Sequence, residues 1–465
     1  MRVVAALVTT TCLAVAACTG TPAPDRDRTS LPPSTSPPSP TEPPGFSVPL
    51  TLAVHPSRGR ADVPLAAARR IVASGAGDWA DLHSGSGRLR VVRGPDAVDA
   101  VVRDRGAVAL VPASAIDPRV HALTVAGVDP LRDPKSYPLR SRSTKRPGSV
   151  VTMSIVGDIM LGRRVGRELA RRNDPAAALR PFARRLASAD VTVGNLESTL
   201  SRDGTPTQGG DSFGADPDVR SGLKLAGFDV LSLANNHIGD YGPRALGQTL
   251  DRLERSGLTP VGGGRNLAQA RRPVVVERAG TRIGFIATDS IGETPAAGAN
   301  RAGTNRLNAP PRTGPLDRAA LARIGRDISV LARRVDTVVV LTHWGTQYTN
   351  KPERSQRQIA RAFARAGADL VVGGHPHWVQ GWEMFGGTPV VHSLGNFVFD
   401  MDFMRETQEG VVLEVTTWGG RVTSLRPVPY VIGSDFAPRP ASSRRAVRIM
   451  DLVRQTSRPP FDTMR

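Results

Sequence analysis

Val151-Thr152-Met153-Ser154-Ile155-Val156-Gly157-Asp158 is a mainly apolar run that ends in a glycine and a carboxylate, and further runs in the chain end in the same way. Val191-Thr192-Val193 leads to Gly194-Asn195-Leu196-Glu197, and Leu231-Ser232-Leu233-Ala234 leads to Asn235-Asn236-His237. Val338 to Leu341 leads to Thr342-His343-Trp344-Gly345, and Leu370-Val371-Val372 leads to Gly373-Gly374-His375-Pro376-His377. Short, continuous apolar runs bounded by glycine read as strands covered on both faces. In an open α/β sheet the carboxyl ends of the strands form the edge where sites assemble. The strand ends therefore predict one shared site.

The polar residues delivered there are Asp158, Glu197, Asn236, His343, His375 and His377. Such hard and borderline donors suit one or two divalent ions of Mn, Fe or Zn, and the lack of thiolate argues against a structural zinc site. Glycines beside them let the backbone turn sharply. The His375-Pro376-His377 step is expected to be extended, with both imidazoles on one side. Two ions about 3.5–4 Å apart would clamp a phosphate and acidify a water.

Around this core the pattern alternates. Ile283 to Ala287, Val335 to Thr342 and Val390 to Ser393 read as further strands, with amphipathic helices over Asp216 to Gly227 and Ser355 to Ala366. This α/β domain is expected to span residues 150–435, with residues 436–465 as a C-terminal helix and tail. A smaller α/β module is expected over residues 48–140, from strands at Pro49 to Val54, Leu89 to Val92 and Ala107 to Val111 and helices at Pro64 to Ser74 and Asp96 to Arg103. The polar run Ser141-Arg142-Ser143-Thr144-Lys145-Arg146-Pro147-Gly148 reads as a linker over 141–149.

The N-terminus differs in kind. Met1-Arg2, an apolar stretch from Val3 to Ala14 and Val15-Ala16-Ala17-Cys18 have the layout of a secretory signal over residues 1–18, too short for a permanent span. This segment resembles the bacterial lipobox, which makes Cys18 the expected lipidated residue. The Pro-, Ser- and Thr-rich stretch 19–47 then serves as a tether from the membrane. The expected location is the outer face of the cytoplasmic membrane. Cys12 lies in the segment to be removed, so no disulfide framework is available.

The 465 residues carry a formal charge of +19, 40% hydrophobic and 5% aromatic residues. The excess is arginine scattered along the chain, without a basic cluster interleaved with aromatics. That pattern reads as solvated faces, and nucleic acid is not an expected partner.

Gly157-Asp158, Asn195-Leu196-Glu197, Asn235-Asn236-His237, His343-Trp344-Gly345, Gly374-His375-Pro376-His377 and Ser393-Leu394-Gly395-Asn396-Phe397 resemble, in order, the motifs of the bacterial capsule-synthesis CapA family. That family is implicated in poly-γ-glutamate capsule biosynthesis and belongs to the calcineurin-like metallophosphoesterase superfamily. The resemblance implies an α/β/β/α sandwich and metal-dependent phosphoester hydrolysis. It implies Asp158 and His377 on one metal, Glu197 as bridging carboxylate, and Asn236, His343 and His375 on a second. His237 would be the acid that protonates the leaving oxygen, with Asp240 orienting it. Arg163, Asn195 and Asn396 are expected to touch substrate, and Glu383 to support a histidine. Ile159-Met160 stands where wider relatives carry a metal-binding histidine two residues after the aspartate, and Glu197 replaces an aspartate. Expected partners are the membrane and capsule or poly-γ-glutamate synthase components. The alternative reading is a non-catalytic envelope factor that binds or presents an anionic polymer.

Overall fold

The structure, a computed structural model, describes residues 45–464; the expected secretory signal, Cys18 and the expected tether up to residue 44 lie outside the described residues. Among the described residues no helix is long and apolar enough to cross a membrane.

Two sheets dominate. The first runs, in spatial order, Thr259–Val261, Phe228–Ser232, Val191–Leu196, Val150–Ile159, Glu409–Trp418, Arg421–Ile432 and Pro438–Pro440. Its first four strands are mutually parallel and the remainder antiparallel. The second runs Val274–Arg278, Thr281–Asp289, Thr337–His343, Leu370–Gly374, Thr388–Val391 and Trp382–Phe385, with the four middle strands parallel.

Strand periodicity explains why the runs are continuously apolar. Along Thr337–His343, Val339 and Leu341 pack between the sheets, against Met153, Ile155 and Val193 of the first sheet. Val338 and Val340 point the other way, into a layer shared with Ile324, Ile328, Ile359 and Phe363. Those four come from the helices Arg318–Ala332 and Arg354–Ala366. The outer face of the first sheet is covered in the same way by Leu169, Phe182, Leu223, Leu246, Leu250 and Leu253. The result is the expected α/β/β/α sandwich.

The Arg354–Ala366 helix shows how sequence sets an element's limits. Glu353 and Gln356 form a reciprocal capping box, and Gly367, at φ 104°, ends the helix in the left-handed region. Ile359, Ala360 and Phe363 make its buried stripe while the arginines remain outside. Truncation of Phe363, fully buried, would cost about 3–5 kcal/mol.

Three boundaries differ from expectation. The segment expected to be helical over 216–227 is a short 3-10 turn, Pro217–Val219, followed by the helix Arg220–Leu225, because Pro217 starts a tight turn and Gly227 at φ 75° stops the helix. The expected linker opens with a strand: Arg140–Ser143 pairs antiparallel with Phe46–Pro49, so the small module's sheet closes with a polar edge strand. The C-terminal tail joins the sandwich, since Pro438–Pro440 extends the first sheet and Ile449, Met450 and Val453 of the last helix enter the inter-sheet core. The small module's core also takes in Trp418 from the first sheet, and residues 45–465 form one compact unit.

Candidate metal centre

Parallel pairing aligns the strand ends. Asp158 is in register with Asn195 on one side and Asn396 on the other, and His343 with Asp289 and Gly374. Both sheets therefore open their carboxyl edges onto one buried cluster. The two glycines nearest the ligands are required by contact rather than by turn geometry. A Cβ on Gly157 would run into the carbonyl of Gly395, and one on Gly374 into Asp158 Oδ1.

Asp158, Glu197 and His343 bring one potential ligand atom each to within 4.8 Å of one another, all buried. Asn195 is the hub. Its Nδ2 lies 2.8 Å from Asp158 Oδ1, 3.0 Å from Glu197 Oε1 and 3.2 Å from His343 Nδ1. Its orientation is set from behind, because Asn235 Nδ2 donates to Asn195 Oδ1 at 3.0 Å. Asn236 Oδ1 lies 2.9 Å from His343 Nε2, which sets two groups able to ligate one ion side by side. His377 Nδ1 is 3.7 Å from Asp158 Oδ2, and the His375 ring lies 4.9 Å from that of His343, centroid to centroid.

The His375-Pro376-His377 step corrects the extended expectation. Both histidines take positive φ, 91° and 59°, so the segment is a tight bend. The His375 amide donates to Asp158 Oδ2 at 3.0 Å, tying the bend to the carboxylate. Left-handed backbone at a non-glycine residue costs on the order of 1–3 kcal/mol and persists where surrounding contacts over-determine it, typically at functional sites.

A metal ion fits these residues by two tests. Glu197 Oε2 and both ring nitrogens of His375 are buried without a hydrogen-bond partner, a condition that native structures rarely leave unanswered. The electrostatics agree. Burial first, and Asp158 next, push the Glu197 carboxyl well above its usual range. Burial, with neighbouring imidazoles, pushes His343 and His375 well below theirs, and burial lowers His377 against the pull of Asp158. Neutral imidazoles are the ligating form, and two buried carboxylates without a cation are mutually unfavourable.

His237 stands beside this cluster. Its Nδ1 is 2.9 Å from Asp240 Oδ2, so the carboxylate holds the proton on Nδ1 and leaves Nε2 as the second ring nitrogen for chemistry. Asp240 is itself fixed by the Phe213 amide at 2.7 Å and by Gln208. Phe213 stacks on the His237 ring with centroids 3.6 Å apart.

Other expected residues fall differently. Asn396 does not face open space. It donates to the Thr407 carbonyl at 3.0 Å and accepts from His377 Nδ1 at 2.7 Å, so it orients His377 rather than reaching for substrate. Asn195 likewise spends its amide on the carboxylates. Arg163 is drawn onto the buried Asp400 and onto Asp211, with its guanidinium 4.7 Å over the Phe213 ring. That leaves it as a brace for the loop beside His237. Glu383 does support a histidine, but it is His392, at 2.7 Å, outside the ligand cluster. Met160 is buried in the first sheet's outer core, so no histidine replaces the missing ligand at that position.

Two residues escaped the sequence reading. Glu293 accepts from Asn236 Nδ2 at 2.6 Å and pairs with Arg312 at 2.5 Å. Ala287-Thr288-Asp289-Ser290-Ile291-Gly292-Glu293 ends an apolar strand in the same glycine-and-acid manner as the other strand ends, and that was the available signal.

A two-sheet sandwich with helices outside carries a buried carboxylate–histidine cluster at the carboxyl edge of both sheets, an arrangement able to hold a divalent cation. The chain belongs to the bacterial capsule synthesis protein family PGA_cap, whose model matches residues 152–401. It is 30% identical over 331 residues to the capsule biosynthesis protein CapA of Bacillus anthracis, covering 70% of this chain and 77% of that relative. It is 32% identical over 267 residues to the PGA biosynthesis protein CapA of Bacillus subtilis strain 168, covering 57% and 67% respectively. A putative 5'-nucleotidase from Staphylococcus aureus aligns with a TM-score of 0.38 at 16% identity, over 65% of this chain and 58% of that one.

Proposed function

We propose that this protein is a capsule-biosynthesis hydrolase that cleaves a phosphoester of a cell-envelope precursor, using one or two ions of Mn, Fe or Zn. The observation that carries the reading is the set of orphaned buried atoms, Glu197 Oε2 in the Asp158–Glu197–His343 cluster and both nitrogens of His375, whose ring lies 4.9 Å from that of His343. When bound, a divalent ion supplies Lewis acidity for a phosphoryl oxygen and acidifies water.

The chain's own residues supply the rest. His377 is held by Asn396 through Nδ1, which leaves Nε2 as its other ring nitrogen, and Asn195 Nδ2 contacts one oxygen of each of the two carboxyls. His237, its Nδ1–H held by Asp240, is the group suited to deliver a proton from Nε2 of its doubly protonated ring to the departing oxygen, which leaves the neutral Nδ1–H form. Phe213 and Phe399, packed edge to face at 5.6 Å, keep water from the inner side of His237.

In this reading the folded body is tethered outside the cytoplasmic membrane by a lipid on Cys18 and works beside capsule or poly-γ-glutamate synthase components. Elemental analysis of the purified protein, with a screen of aryl phosphomono- and diesters run beside His237→Ala, tests the catalytic claim. Bound metal and a hydrolysis that His237→Ala abolishes are expected. Zero metal, and no activity with any divalent ion, would sink it.

A further inference from the structure

We infer that Glu293 is a positioning residue for Asn236, a role that rests on the metal-site reading above: it selects the amide orientation that turns Asn236 Oδ1 toward His343. The two ends of a carboxamide are nearly the same size, so packing alone does not decide which one faces a ligand. A carboxylate does decide it, because it only accepts. Glu293 Oε2 lies 2.6 Å from Asn236 Nδ2, and that contact obliges Oδ1 to point the other way, where it sits 2.9 Å from His343 Nε2. The amide nitrogen cannot ligate a cation, whereas the oxygen can. A carboxylate placed behind it also polarises the amide and makes the oxygen a better donor.

Glu293 is itself held by two contacts. Arg312 Nη2 pairs with its other oxygen at 2.5 Å, which aligns the carboxylate. The next residue, Thr294, accepts from the Gly239 amide at 3.0 Å, binding this loop to the loop that carries Asn236 and His237. Glu293 also takes a left-handed backbone, φ 65°, a conformation that L side chains rarely adopt. Asn236 is almost wholly buried, while the Glu293 side chain is 31% exposed. Nothing about core packing demands a carboxylate at this mouth position, yet the backbone is bent out of its preferred region to put one there.

The experiment is Mn2+ affinity of the purified full-length protein, measured on the metal alone, for the parent, Glu293→Ala and Glu293→Gln, with melting temperature in chelator recorded beside it. Glu293→Ala is expected to weaken Mn2+ binding about 10–100-fold at an unchanged chelator-state melting temperature. Glu293→Gln, which keeps one accepting oxygen, should recover part of that and stay within about tenfold of the parent. A Glu293→Ala protein that binds Mn2+ within twofold of the parent overturns the role. If Glu293→Ala shows no cooperative melt, Glu293→Leu, which fills the space without an acceptor, decides in its place, and parent-like affinity in it overturns the role. A parent that takes up no Mn2+ or other divalent ion overturns the metal-site reading and this role together. Loss of hydrolysis alone, with parental affinity in every variant, overturns only this role.

Discussion

Asn195 Nδ2 donates to Asp158 Oδ1 at 2.8 Å while lying 3.0 Å from Glu197 Oε1, so one amide bridges two buried carboxylates. Its removal leaves both groups short of a donor. Asn195→Ala is expected to lower the stability of the metal-free protein by about 1–3 kcal/mol, read from denaturant melts in chelator. Saturating metal should restore most of that difference.

His237→Ala should separate chemistry from metal binding. His237 contacts Asp240 and Phe213 but is not among the clustered ligand atoms. Hydrolysis is expected to fall about 10²–10⁴-fold, with metal stoichiometry by elemental analysis unchanged. Asp240→Asn should fall less, because it disturbs the tautomer without removing the ring.

Glu197→Gln should change sign with metal. The folded Glu197 carboxyl titrates well above its ordinary 4.5, through burial first and Asp158 second. A group raised in the folded state contributes stability that is full below its unfolded value and is lost as pH rises through the folded value. In chelator, therefore, the variant should gain on the parent as pH rises above about 4.5. With Mn2+ present the order should reverse, because the parent gains more from the ion. Thermal melts over pH 4–8 check both arms, and a variant less stable than the parent in chelator throughout would contradict the first.

Arg163 is a brace, so its loss should act on stability more than on substrate affinity. It and the Arg164 amide hold Asp400, which is 2% exposed at its side chain. Arg163→Ala leaves that carboxylate with fewer partners, and breaking such a buried pair costs about 3–5 kcal/mol. A rise in KM with no change in melting temperature would instead assign Arg163 to substrate.

Cys18→Ser should move the protein from the membrane fraction to the soluble fraction in cells that process lipoproteins. Retention in the membrane fraction would point to an anchor other than a lipid.

Much of the sandwich was legible because periodicity is local. Val338 to Leu341 reads as a strand buried on both faces, and Val339 with Leu341 on one side and Val338 with Val340 on the other meet two different cores. The strand ends were legible for the same reason, since a glycine and a polar residue after an apolar run mark where the chain leaves the sheet. Less legible was Asp216 to Gly227, where a proline and a glycine divided an amphipathic pattern too short to survive them.

Local pattern was therefore enough to set Asp158, Glu197, Asn236, His343, His375 and His377, as candidate donors, at the ends of strands. Which way each donor turns was decided only by the fold. Asn396 orients His377 across 19 positions of sequence, Arg163 reaches Asp400 across 237, and Glu293 reaches Asn236 across 57. Those contacts come from parallel register within each sheet and from the packing of one sheet on the other. An amide or a guanidinium carries no local signal of its partner, because its orientation is set by whichever acceptor the folded chain brings within about 3 Å.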